Sequence, residues 1–156
     1  MITIEFNDAQ VNAALAKISA HLDNLSPLMN RIGLFMVTTT ENRFARTEAP
    51  DGSQWAPRSE TTIKHYGRTG QRFGPVLHKT GELSQSIFHR YDATSTTIAS
   101  NLRQSAVMQF GAAKAAFGPR TPWGNIPARP YIGMSETDRV GILERVDTWL
   151  AGIAAA

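Results

Sequence analysis

The sequence predicts an α+β domain: an N-terminal helical hairpin and a C-terminal helix packed on a small antiparallel sheet, with long basic and Pro/Gly-rich loops. Three patterns carry that prediction. Apolar residues recur at three- and four-residue steps near both ends of the chain, the spacing that lines one face of a helix. Two runs rich in β-branched and aromatic residues flank a polar turn in the middle, as in a hairpin. Between these lie stretches dense in glycine, proline and short polar residues, where regular structure stops.

In order, Ile2, Ile4 and Phe6 alternate with Thr3 and Glu5, the period of a short edge strand. Asn7 or Asp8 then caps a helix carrying Val11, Leu15, Ile18, Leu22 and Leu25 on one face. Ser26 as N-cap and Pro27 at the first helical position start a second helix. In it Leu28, Ile32, Phe35, Met36, Thr39 and Phe44 follow to about Arg46, and the two helices are expected to pair. Pro50, Asp51 and Gly52 make a tight turn in which Trp55 is the large apolar group, so Trp55 should pin the loop. Ser59 and Glu60 open a short helix through His65 and Tyr66; Gly67, Gly70 and Gly74 then break up the basic run that follows, which is expected to be mobile. A short capped turn begun by Thr80 leads into a strand over residues 87–91; after a turn at 92–95, residues 96–100 form its antiparallel partner. Residues 106–110 make a short helix stopped by Gly111, and 112–125 a projecting loop. Ser135 and Asp138 stand at capping-box spacing before a final helix with Ile142, Val146, Trp149, Leu150 and Ile153 on one face.

Residues 123–134, WGNIPARPYIGM, stand apart from these patterns. Pro127 and Pro130 bracket Ala128 and Arg129, each fixing its own φ and pushing the preceding residue towards extended geometry, so the peptide is stiff. Tyr131 and Ile132 read as strand residues that anchor the final helix.

The 156 residues suit one domain spanning residues 1–156, large enough to bury roughly two-thirds of its unfolded surface. The absence of cysteine excludes a disulfide framework and a thiolate metal site, which fits a reducing compartment. The first ten residues lack the pattern of a signal peptide, and no window approaches the roughly 20 apolar residues of a membrane span, so a soluble chain is expected. The formal charge of +3 is unevenly spread: six Lys and Arg face two Asp and Glu in residues 58–90, against four to six before and six to five after. His65, His78 and His89 share that middle third.

Enzymatic constellations are weak. There is no H-E-x-x-H, no G-x-S-x-G, and the glycine-rich run lacks the Gly-Lys-Ser/Thr ending of a phosphate loop. His65 or His78 could pair with Glu60 or Glu82 as base and orienting carboxylate, but no nucleophile accompanies them, and neither an active site nor a cofactor is expected. Trp55, Tyr66, Phe73, Phe88 and Tyr91 are interleaved with Arg58, Lys64, Arg68, Arg72, Lys79 and Arg90, a setting that raises nucleic-acid binding without matching a known module. Trp55, Phe88 and Tyr91 read as core or loop anchors before they read as base-stacking platforms.

Four segments in one order carry a resemblance. They are D-G-x-x-W-x-P at Asp51, Gly52, Trp55 and Pro57; L-x-x-T-G-x-L at Leu77, Thr80, Gly81 and Leu83; Q-F-G at Gln109, Phe110 and Gly111; and I-P-A-R-P-Y-I-G from Ile126 to Gly133. Together they resemble the phage virion morphogenesis proteins, the tail completion family of Mu-like and related contractile-tailed phages. The departure is TIASNLRQSA, which lacks the glycine of the family's V-x-V-G-T/S-N segment. The resemblance implies a structural protein of the virion, made in the host cytoplasm and acting at tail completion or head-tail joining in the neck, without membrane contact. It implies a homo-oligomer, a hexameric ring first, meeting the tail tube or terminator and the head connector. On that reading Trp55, Trp123, Ile126, Pro127, Arg129 and Pro130 are candidate interface residues. Arg58, Lys64, Arg68, Arg72 and Lys79 are candidates to face the lumen and touch passing DNA. A tail terminator or head-closure connector, and a small basic nucleic-acid-binding protein, stay open beside it, with a hydrolase as the outsider.

Overall fold

The computed structural model describes residues 9–70, 72, 74–119 and 124–155. Its elements are α1 (Ala9–Leu22), α2 (Ser26–Arg46), α3 (Glu60–Thr69), α4 (Glu82–Gln85), β1 (Ile87–Tyr91), β2 (Thr96–Ser100), α5 (Ser105–Phe110) and α6 (Glu136–Ala155). The fold class is α+β, as the residue patterns predict. The strand expected at residues 2–6 and the caps at Asn7 or Asp8 lie outside the described residues. Among the described residues no helix is long and apolar enough to cross a membrane.

The long helix α2 is the central element, with the β1–β2 hairpin on one side and α6 on another. The hairpin pairs Ile87 with Ser100 and Tyr91 with Thr96. Side chains on one face of a strand alternate, so Ile87, His89 and Tyr91 share a face with Ser100, Ile98 and Thr96. This face meets α2. The His89 ring lies so close to Gly33 that a Cβ there would stand 2.3 Å from it, and His89 Nε2 shares a hydrogen bond of 2.9 Å with Asn30 Oδ1. Glycine is what lets helix and hairpin approach.

Two apolar clusters sit along α2. Towards its start, Leu28, Ile32 and Met36 pack on Trp149 and Ile153 of α6; towards its end, Phe44 packs with Ala49, Trp55, Leu83, Ile87 and Tyr131. Ile98 touches both. On the final helix Ile142, Val146, Trp149 and Ile153 join the first cluster, whereas Leu150 is 39 % exposed and belongs to the outer face.

Three expectations are corrected. Ser26 is already helical and makes no side-chain cap; the Asn24 carboxamide oxygen accepts its N–H instead. The helix α1 packs mainly on α6 and not on α2, so the expected pairing of α1 with α2 is replaced by one with the final helix. Tyr131 and Ile132 lie in no strand, because their N–H groups are taken by a side chain.

Candidate functional site around residues 126–133

The prolines make this segment extended, and an extended segment without a strand partner must satisfy its backbone groups elsewhere. Side chains from three distant parts of the chain do so. Gln109 in α5 accepts the N–H groups of Tyr131 and Ile132, both at 3.0 Å, and donates to the Ile132 carbonyl at 2.8 Å. Trp55 Nε1 donates to the Pro130 carbonyl at 2.7 Å. Arg43 near the end of α2 donates to the Tyr131 and Gly133 carbonyls at 2.8 and 2.9 Å.

Arg43 also forms a buried ion pair with Asp138. The same carboxylate oxygen accepts the Ser135 N–H at 2.8 Å, and the Ser135 hydroxyl accepts the Asp138 N–H at 3.0 Å. The capping box expected from the spacing is thus present, and it is wired into α2. At the other end, the Arg129 N–H reaches the Met108 carbonyl, and its guanidinium donates to the Ala56 and Pro57 carbonyls at 2.7 and 2.8 Å. Burial, and then the nearby Arg58 cation, push the pKa of that guanidinium below its ordinary value. Tyr131 is 1 % exposed, with its ring 5.1 Å from that of Phe44 and its hydroxyl donating to the Ser105 carbonyl; burial pushes the phenol up.

The projecting loop starts and ends here. Residues Ala112 and Ile126 form a two-way bridge that pinches its base. Gly111 beside it has φ 74° and would bring a Cβ within 2.7 Å of the Ile126 carbonyl oxygen. Only glycine fits both conditions. All four motif segments therefore converge, with Leu83 and Trp55 in one apolar cluster and Gln109 and Gly111 against the extended peptide.

This geometry relocates several candidate residues. Trp55 and Arg129, candidate contacts to a neighbour, are 6 % and 7 % exposed and hold this chain's own loops. Trp55 thus fulfils the loop-pin reading. Ile126 and Pro130 are half-buried and Pro127 is exposed, while Trp123 lies outside the described residues, as does Phe73. Among the candidate lumen residues, Arg58 donates to the Gly74 and Pro75 carbonyls, whereas Lys64, Arg68, Arg72 and Lys79 are exposed. Sequence reasoning missed Arg43 and the role of Gln109. A trace of Arg43 was available, since it sits beside Phe44 and three residues after Thr40 on the inward face of α2. It also missed Phe110, at the end of α5, and Phe117, within the pinched loop, which are 77 % and 57 % exposed; no sequence pattern marks an apolar residue as left in water. Among the described residues no group of His, Asp and Glu is placed to hold a metal ion.

A family model of phage virion morphogenesis proteins matches residues 6–151. The Mu-like prophage FluMu G protein 2 of Haemophilus influenzae is 28 % identical over 150 residues, covering 96 % of each chain. The putative capsid assembly protein G of Escherichia phage Mu is 30 % identical over 112 residues, 71 % of this chain and 70 % of that one. No solved structure matches. The order of the four motifs, their convergence on one segment and a match over most of the length lead to one conclusion: this chain belongs to the phage virion morphogenesis family.

Proposed function

We propose that the chain is a structural subunit acting at tail completion, at the head-proximal end of the tail or in the neck, and that it works by assembly and not by catalysis. It closes into a ring, six subunits being the first expectation, between the tail tube or its terminator and the head connector. The observation that carries this reading is the pair Phe110 and Phe117, 77 % and 57 % exposed, one at the end of α5 just before and one within a loop whose base is clamped to the buried segment. Large aromatics held in water on a fixed mount suit a contact with another molecule, because they supply area and lose little entropy on docking. A closed ring needs such a patch to meet a different one on its neighbour. Family membership supports the virion as its place of action.

Native mass spectrometry of the wild type and of the Phe110→Ser/Phe117→Ser variant tests the ring: a closed oligomer should appear for the first and monomer for the second. Electron micrographs of particles made without the chain test the stage: complete heads beside detached complete tails are expected. Tails of uncontrolled length would assign a terminator and emptied heads a head-closure connector. Normal virions would overturn the reading.

A further inference from the structure

The chain leaves the body at residue 59 and returns at Val76 and Leu77, which pack on the apolar cluster around Phe44. The excursion has a fixed root. Arg129 grips the carbonyls of Ala56 and Pro57 on the way out, and Arg58 grips those of Gly74 and Pro75 on the way back. What lies beyond that root is a surface element, since no described residue from 59 to 75 is buried. Helix α3 within it is held by local devices, a Ser59 N-cap accepting from Thr62 and a left-handed Gly70 C-cap.

Charge singles out this arm. Residues 59–79 hold Lys64, Arg68, Arg72 and Lys79 against Glu60, an excess of three, while the rest of the chain balances at twelve against twelve. The whole formal excess of +3 thus resides in the projection and the turn just past its return, where Lys79 stands. Lys64 and Arg68 lie one turn apart on the helix, Lys79 stands over the Tyr66 ring, and all four cations are exposed. Ile63, 44 % exposed, is the arm's one exposed large apolar side chain among the described residues. That composition does not suit the core of a protein interface, which is poor in lysine and rich in buried aromatics, nor an interfacial membrane helix, which needs a broad apolar face.

We propose that this arm binds the phosphate backbone of double-stranded DNA without reading its sequence, through Lys64, Arg68, Arg72 and Lys79. Four phosphates neutralised predict a log–log salt slope of about −3.6, so affinity should fall on the order of a hundredfold between 50 and 200 mM salt. The arm's cations are mounted on no core residue, so they can be removed without loss of fold.

Fluorescence anisotropy with a 20-base-pair duplex of mixed sequence tests this at both salt concentrations, with thermal melting as the check on folding. The wild type should bind with that salt dependence. The Lys64→Ala/Arg68→Ala/Arg72→Ala/Lys79→Ala variant should lose binding and keep its melting temperature. A control with the same charge change elsewhere, Arg31→Ala/Arg103→Ala/Lys114→Ala/Arg139→Ala, should keep most of it. Equal loss in both variants would trace binding to net charge and overturn the proposal. So would undiminished binding by the arm variant, or a wild type that does not bind the duplex. A changed oligomeric mass with intact DNA binding would make the arm a subunit contact instead. None of these readouts depends on where in the virion the chain acts.

Discussion

Arg43 shows how much one buried side chain can join. Its guanidinium ties the end of α2 to two carbonyls of the extended segment and to the carboxylate that caps α6. Removing one partner of a buried pair leaves the other charged and largely shielded from water, which costs about 3–5 kcal/mol. Arg43→Met and Asp138→Asn should each lower unfolding free energy by about that amount, and the double variant by clearly less than the sum. Urea melts at neutral pH check this, and additive losses would show that the two groups do not act together. The capping half of the arrangement was legible, because Ser135 and Asp138 stand three apart before an apolar helical run. The pairing half was not. Arg43 and Asp138 lie 95 residues apart, and only the packed fold brings them together.

At the scale of elements, the hairpin is the part most fully written in the residues. Ile87–Tyr91 and Thr96–Ser100 form with the bounds the β-branched runs suggest, and Asp92 builds the turn between them. Its carboxylate accepts the N–H groups of Thr94 and Ser95 at 2.7 and 2.8 Å and both their hydroxyls. Those bonds favour the ionised form and hold its pKa at about 2, below the ordinary 3.8. A depressed folded-state value stabilises the fold above the unfolded value, and this contribution disappears as pH falls from about 4 through about 2. The Asp92→Asn variant should therefore melt lower than the wild type at pH 7, with the gap closing towards pH 2; a constant gap would exclude the carboxylate as its source. The extended segment was harder to read. Its prolines announced stiffness, but Tyr131 and Ile132 looked like strand residues because nothing local shows that Gln109 would take the place of a neighbouring strand.

For the whole molecule, the two clusters along α2 and the arm beyond Arg58 are separate matters. Replacing residues 60–73 by two glycines should leave a single cooperative thermal transition within a few degrees of the wild type, because none of the described residues from 60 to 72 belongs to either cluster. Calorimetry checks this, and a transition that broadens or splits would mean that the arm is part of the cooperative unit. Fold class was accessible from periodicity; the partner of α1 was not, since an apolar stripe does not say what covers it, and Leu15 and Leu22 of this one stay exposed. The convergence on residues 126–133 also governs when the fold can close. Phe44 and Arg43 wait for partners 87 and 88 residues downstream, Tyr131 among them. Contacts of such sequence separation form slowly, and a ribosome adding roughly 5–20 residues per second needs several seconds to deliver that stretch. The pinched loop with Phe117 is set only when Ile126 has emerged to pair with Ala112. A chain still being synthesised therefore lacks the bridge that fixes this loop until its last quarter has been made.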